Sequence, residues 1–138
     1  MRKIFSLFFL VALVLFLNSE LWGADWKVLY QSDKTGTYYY DTQSITHTAN
    51  NHVRVWTKII YSEEGVREVI SSLGEDYKNA SSVKYYYELD CTEKKVQFLS
   101  ITYYSKDERV ISTFESDTEW HFIPPDSIAS ALYEKVCK

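Results

Sequence analysis

Pro124-Pro125-Asp126-Ser127-Ile128-Ala129-Ser130-Ala131-Leu132-Tyr133-Glu134-Lys135-Val136-Cys137-Lys138 closes the chain. Two prolines forbid an interior strand, and Asp126 after them is a natural N-cap, so a helix is predicted to begin there. On a helical wheel Ile128, Leu132, Val136, Ala129, Tyr133 and Cys137 fall on one half, with Cys137 at its margin. Ser130, Ala131, Glu134 and Lys135 take the rest. A short helix with one apolar side needs a sheet to lie on.

The preceding sequence supplies that sheet. Residues 52–61 alternate with period two: Val53, Val55, Thr57, Ile59 and Tyr61 on one face, Arg54, Trp56, Lys58 and Ile60 on the other. Residues 26–30 and 37–41, around a turn at 31–36, read as two earlier strands, the second rich in the aromatic and β-branched residues that suit a pleated surface. Residues 42–51 are polar, and Asn50-Asn51 marks a turn. Ser62-Glu63-Glu64 then changes the rhythm. A capping serine, two acids in the first turn, Val66, Val69, Ile70 and Leu73 at helical spacing and Gly74 as a stop predict a helix of about ten residues.

After a polar connection over 75–82, Val83, Tyr85, Tyr87, Leu89 and Cys91 share one strand face while Lys84, Tyr86, Glu88 and Asp90 share the other. Residues 95–104 and 109–115 form a hairpin, and residues 116–123 are a link into the last helix. The expected class is therefore α+β. It comprises a mainly antiparallel sheet of about six strands, a C-terminal helix packed on one face, and one short mid-chain helix.

At the other end, Met1-Arg2-Lys3 precedes an apolar run over 4–17 broken only by Ser6, and small residues follow at Ser19, Gly23 and Ala24. That is the pattern of a secretory signal peptide, too short for a comfortable membrane span. Residues 1–24 are expected to be the leader and 25–138 the mature domain, with cleavage after Ser19 as the alternative. No Cys follows the apolar run, which excludes lipid attachment there. The expected location is the periplasm first, the cell surface or the medium second, with no stable membrane insertion after cleavage.

Cleavage after Ala24 removes Arg2, Lys3 and Glu20, so 15 basic and 19 acidic residues become 13 and 18 in a 114-residue domain. An acidic balance gives no overall case for nucleic acid or anionic lipid, which need clustered Lys and Arg. Both cysteines, Cys91 and Cys137, survive cleavage. Two cysteines in an exported domain point to a disulfide, which would tether the C-terminal helix to the end of a strand. Two thiols without nearby ligands are half a zinc site at best.

Several segments together resemble the surface-adhesin protein E family of bacterial envelope proteins. They are Tyr39-Tyr40-Asp41 with Ser44-Ile45; Val53-Arg54-Val55-Trp56-Thr57-Lys58 with Tyr61; Leu89-Asp90-Cys91; and Trp120-His121-Phe122-Ile123-Pro124-Pro125-Asp126-Ser127-Ile128 with Ala131-Leu132-Tyr133 and Val136-Cys137. The resemblance implies a small antiparallel sheet with a disulfide-tethered C-terminal helix. For the family's named adhesins it also implies binding to host extracellular proteins.

No constellation of residues asks for a reaction. His47 and His52 flank a polar turn, His121 sits beside Trp120, and none has zinc-motif spacing or a nucleophile's context. Ser127 lacks a glycine-flanked elbow. The expectation is a protein without catalytic residues, metal or cofactor. Aromatic residues, by contrast, number 18 of the 114. Because neighbours alternate in a strand, Tyr38-Tyr39-Tyr40 and Tyr85-Tyr86-Tyr87 must place rings on both faces of the sheet. Tyr39, Trp56 and Tyr86 are the candidates for a binding surface on the face opposite the helix, expected to be the tyrosine-rich one, gripping extracellular or envelope proteins or glycans. The alternative is a structural envelope protein that self-associates, as a homodimer or larger assembly, through its sheet edges.

Overall fold

The computed structural model describes residues 23–116 and 119–138. Apart from Gly23 and Ala24, the leader expected over residues 1–24 lies outside them. Eight strands follow in order: β1 (Trp26–Ser32), β2 (Gly36–Asp41), β3 (Thr46–His47), β4 (His52–Tyr61), β5 (Ala80–Asp90), β6 (Lys95–Ser105), β7 (Val110–Glu115) and β8 (His121–Phe122). Helix α1 (Glu63–Leu73) separates β4 from β5, and α2 (Ile128–Val136) ends the chain. Six strands make the sheet in the order β1-β2-β4-β5-β6-β7, with β3 added to β4 and β8 to β6, and every pairing is antiparallel. No helix of the described residues is long and apolar enough to cross a membrane.

The two small strands were not visible in the sequence. β3 occupies what reads as a polar turn, and β8 what reads as a connector, because each is only two residues long and carries no period. The start of β5 also differs. Ala80 and Tyr77, in the stretch read as a polar link, are both buried. Tyr77 turns inward to meet the Tyr103 ring edge-on at 5.2 Å and to share a hydrogen bond with the Ser112 hydroxyl.

The core lies where alternation put it. Val53, Val55, Leu89 and Val96 on one sheet face meet Leu132 and Val136 of α2, all six almost fully buried. The Cys91–Cys137 disulfide closes this end, with Cα atoms 5.4 Å apart. Beside it the Tyr133 hydroxyl donates to the Cys91 carbonyl at 2.9 Å, so side chain, disulfide and core hold α2 together. The N-cap is one residue later than expected: Ser127 Oγ accepts from Ser130 N, whereas Asp126 has φ +57° and belongs to the turn. The Ser127 hydroxyl also donates to the Pro124 carbonyl, which the expected cap at Asp126 could not do.

Helix α1 packs on the same face of the sheet, over Ile59, Tyr61, Tyr85 and Tyr103. Ser62 caps it as expected, accepting from Gly65 N at 3.0 Å, and Gly74 ends it by donating to the Ile70 carbonyl. Both helices thus share one face. Among the described residues the other carries no helix.

The β5–β6 turn carries a pH-dependent element. Asp90 Oδ1 accepts from the backbone N–H of Glu93 and of Thr92, at 2.9 and 3.0 Å, and His52 stands 3.3 Å away. These N–H groups, that of Glu93 foremost, hold the Asp90 carboxyl below its ordinary value near 3.8. A depressed carboxyl contributes stability above its unfolded pKa, and that stability is lost as pH falls through the lower folded value. Asp90→Ala is therefore expected to cost about 1 kcal/mol at neutral pH, a low figure because the turn is wet. The gap between variant and parent should close in thermal melts taken downward from about pH 5.

Candidate binding face

The face away from the helices is read from the strand register. Paired residues share a face, so Arg54–Glu88, Trp56–Tyr86 and Lys58–Lys84 across β4 and β5 form successive rows, each flanked by a strand on either side. Trp56 and Tyr86 stack at the centre, ring centroids 4.6 Å apart and planes 16° from parallel. Tyr39 extends the next row from β2, opposite Lys58. All three candidate residues therefore stand on the same side of the sheet, half-buried, with neither α1 nor α2 over them.

On one flank of the stack is a polar row. Arg54 Nε donates to Glu88 Oε1 at 2.7 Å, Gln97 Nε2 donates to Glu88 Oε2 at 2.6 Å, and His52 Nδ1 lies 3.9 Å from the same carboxylate. The Trp120 ring meets His52 edge-on at 5.1 Å. Glu88 is buried, and this set satisfies it: a buried carboxylate needs such partners to remain charged. His52 thus serves a structural cluster. His47 pairs with Val53 and His121 with Val96, both on the helix side, so the register separates the other two histidines from it. Among the described residues no group of three His, Cys, Asp or Glu is arranged to hold a metal.

On the other flank lie Lys58 and Lys84, each ammonium over aromatic rings. Lys58 Nζ is 4.2 Å from the Trp26 ring centroid and 5.3 Å from that of Tyr39, and Lys84 Nζ is 4.9 Å from that of Tyr104. Trp26, Lys58, Lys84 and Tyr104 were not singled out from the sequence. Alternation puts Lys58 two residues from Trp56, and Lys84 two from Tyr86. What no local pattern reveals is that the β4–β5 register sets the two lysines opposite each other.

Most tyrosines, however, are on the helix side, which corrects the expectation that the opposite face is the tyrosine-rich one. In each tyrosine triplet the outer two residues share a face, and in both triplets that is the helix face. Tyr38, Tyr85, Tyr87 and Phe98 consequently floor a trough of about 200 Å³ bordered by Leu29, Ile59 and Ile128. A neighbouring cavity of about 290 Å³ runs beneath α1. Burial, and after it the neighbouring tyrosines, raises the Tyr61, Tyr85 and Tyr87 hydroxyls well above the ordinary phenol range. They stay neutral hydrogen-bonding groups.

A model of the family described as Surface-adhesin protein E matches residues 26–138. The chain belongs to the surface-adhesin protein E family. Solved structures of Haemophilus influenzae protein E are similar to it at 15% identity and a TM-score of 0.50, covering 80% of this chain and 81% of that one. A second crystal form aligns over 72% of this chain and 79% of that one, again at 15% identity and a TM-score of 0.50. At that identity the likeness concerns the fold alone. No curated protein sequence matches the chain. Family membership makes it an adhesin-like surface or envelope protein.

Proposed function

We propose that this is an exported, non-catalytic binding module that works in the periplasm or at the cell exterior and grips protein or glycan partners through the face opposite its helices. The signal-like residues 1–24 support export. The observation that carries the binding reading is the Trp56–Tyr86 stack, held half-exposed at the centre of a sheet face that neither helix covers. Large, rigid rings with a polar edge bury much area at small entropic loss, which is why they anchor interfaces.

A Trp56→Ala/Tyr86→Ala variant that keeps its far-UV spectrum should bind immobilised envelope and extracellular-matrix extracts roughly 30-fold more weakly than the parent, the loss of one interface anchor of about 2 kcal/mol. Unchanged binding would remove the face from consideration. Location is tested separately, by fractionating native cells after protease shaving. A strictly periplasmic protein cannot be an adhesin.

The second reading, self-association, is favoured by the sheet edges. Val28 and Tyr30 on β1, and Val110 and Phe114 on β7, are all exposed apolar residues on strands that, among the described residues, pair on one side only. Sedimentation at several concentrations tests it, and a monomer throughout sinks it.

A further inference from the structure

Lys58 and Lys84 pair directly across β4 and β5 on the open face, where Cβ atoms lie roughly 5 Å apart and like charges destabilise a sheet. Among the described residues no carboxylate lies within 4.0 Å of either ammonium. The ammonium groups lie instead over the Trp26 and Tyr104 rings. Burial, and next to it the charge of Lys84, pulls the Lys58 ammonium below its ordinary pKa, while Asp41 and Glu108 act in the opposite direction. In a chain of net charge -4 this row spends sheet stability to gather positive charge. Lys58 and Lys84 line a groove of about 390 Å³ with Lys106, Ser82, one carboxylate, Glu108, and Ser105, whose hydroxyl is engaged by Asp107 and the Arg109 N–H.

The geometry points to an anion subsite in this groove for the carboxylate or sulfate groups of an acidic saccharide, whose sugar ring extends toward the Trp56–Tyr86 stack. It deepens the open-face reading above and rests on it. An oxyanion between Lys58 and Lys84 turns their repulsion into two charge-assisted hydrogen bonds. The Ser82 hydroxyl donates to or accepts from a sugar hydroxyl, and the rings one row away offer an apolar platform. Glu108 disfavours a ligand that is charged along its whole length.

The test is calorimetric titration of the full-length protein with a sulfated, uronate-containing hexasaccharide, with uncharged maltohexaose, an oligothymidylate of matching charge, poly-glutamate and inorganic sulfate as comparison arms. The hexasaccharide should bind, more weakly as NaCl rises. Lys58→Gln/Lys84→Gln should weaken it about tenfold or more, and Lys58→Arg/Lys84→Arg, which keeps the charge, should retain most of the affinity. Trp56→Ala/Tyr86→Ala should weaken it as well. Absence of hexasaccharide binding, equal binding of maltohexaose, or tighter binding of the oligothymidylate or poly-glutamate would overturn the saccharide assignment. So would inorganic sulfate competing at the same concentration, which would reduce the groove to a small-ion site. If the glutamine variant binds the hexasaccharide like the parent while the Trp56/Tyr86 variant does not, the lysine subsite fails and the open face survives.

Discussion

A Cys91→Ala/Cys137→Ala variant should melt roughly 15 °C below the parent. The disulfide spans 46 residues, and closing a loop of that length restricts the unfolded chain by roughly 4 kcal/mol in the chain-entropy model. At about 4 °C per kcal/mol for a domain of this size, the shift follows. The native side points the same way. Helix α2 is nine residues long, too short to be helical by itself, and depends on docking Leu132 and Val136 onto the sheet. Released, it would uncover Val53, Val55, Leu89 and Val96, the largest part of the buried core. The Tyr133 bond to the Cys91 carbonyl and the Ser127 cap remain in the variant, which is why a fold with a lower melting point is expected instead of none. Differential scanning calorimetry of the double variant checks this. A shift of under about 3 °C would mean that packing alone holds α2.

The same helix shows how far sequence carries. Its apolar half, its partner cysteine and the sheet beneath it were all legible, because the period-two run at 52–61 and the 3.6-residue spacing at 128–137 report burial residue by residue. The cap slipped from Asp126 to Ser127 because both are good N-caps and only the backbone, left-handed at Asp126, decides between them. Tyr39, Trp56 and Tyr86 could be assigned to a common face by alternation. That Trp56 and Tyr86 touch, that Lys58 stands opposite Lys84, and that Tyr38, Tyr85 and Tyr87 floor a trough beside α2 all depend on the β4–β5 and β2–β4 registers. A register is a long-range fact, fixed by turns and packing together, and no window of sequence contains it.

The second large effect comes from two glycines that set α1 against the sheet. In an exposed helix interior Gly→Ala stabilises by about 1 kcal/mol, so propensity alone favours Gly65→Ala. A methyl there would stand 2.1 Å from the Thr35 carbonyl oxygen and 3.2 Å from Tyr61 Cδ1. The ring edge can give way. The carbonyl is held, since it accepts from the Ser62 backbone N–H at 3.0 Å, and Ser62 is the residue that caps α1. Relieving the clash means lifting the first turn of α1 off the β1–β2 hairpin and disturbing its own cap, at about 2 kcal/mol net. Gly36 is under more constraint. Its φ of +134° suits glycine alone, and a methyl would lie 2.0 Å from the Ile60 carbonyl oxygen, in the strand where Gly36 pairs with Tyr61. Gly36→Ala should therefore cost about 3 kcal/mol or more. Ser71→Ala, on the exposed side of the same helix, should be neutral or slightly stabilising, because there propensity acts without a neighbour. Urea unfolding of the three variants separates the terms. If Gly65→Ala were as stable as the parent or more so, α1 would not be seated on the Thr35 carbonyl, and the cavity of Tyr61, Tyr85 and Tyr103 beneath it would be free to change shape.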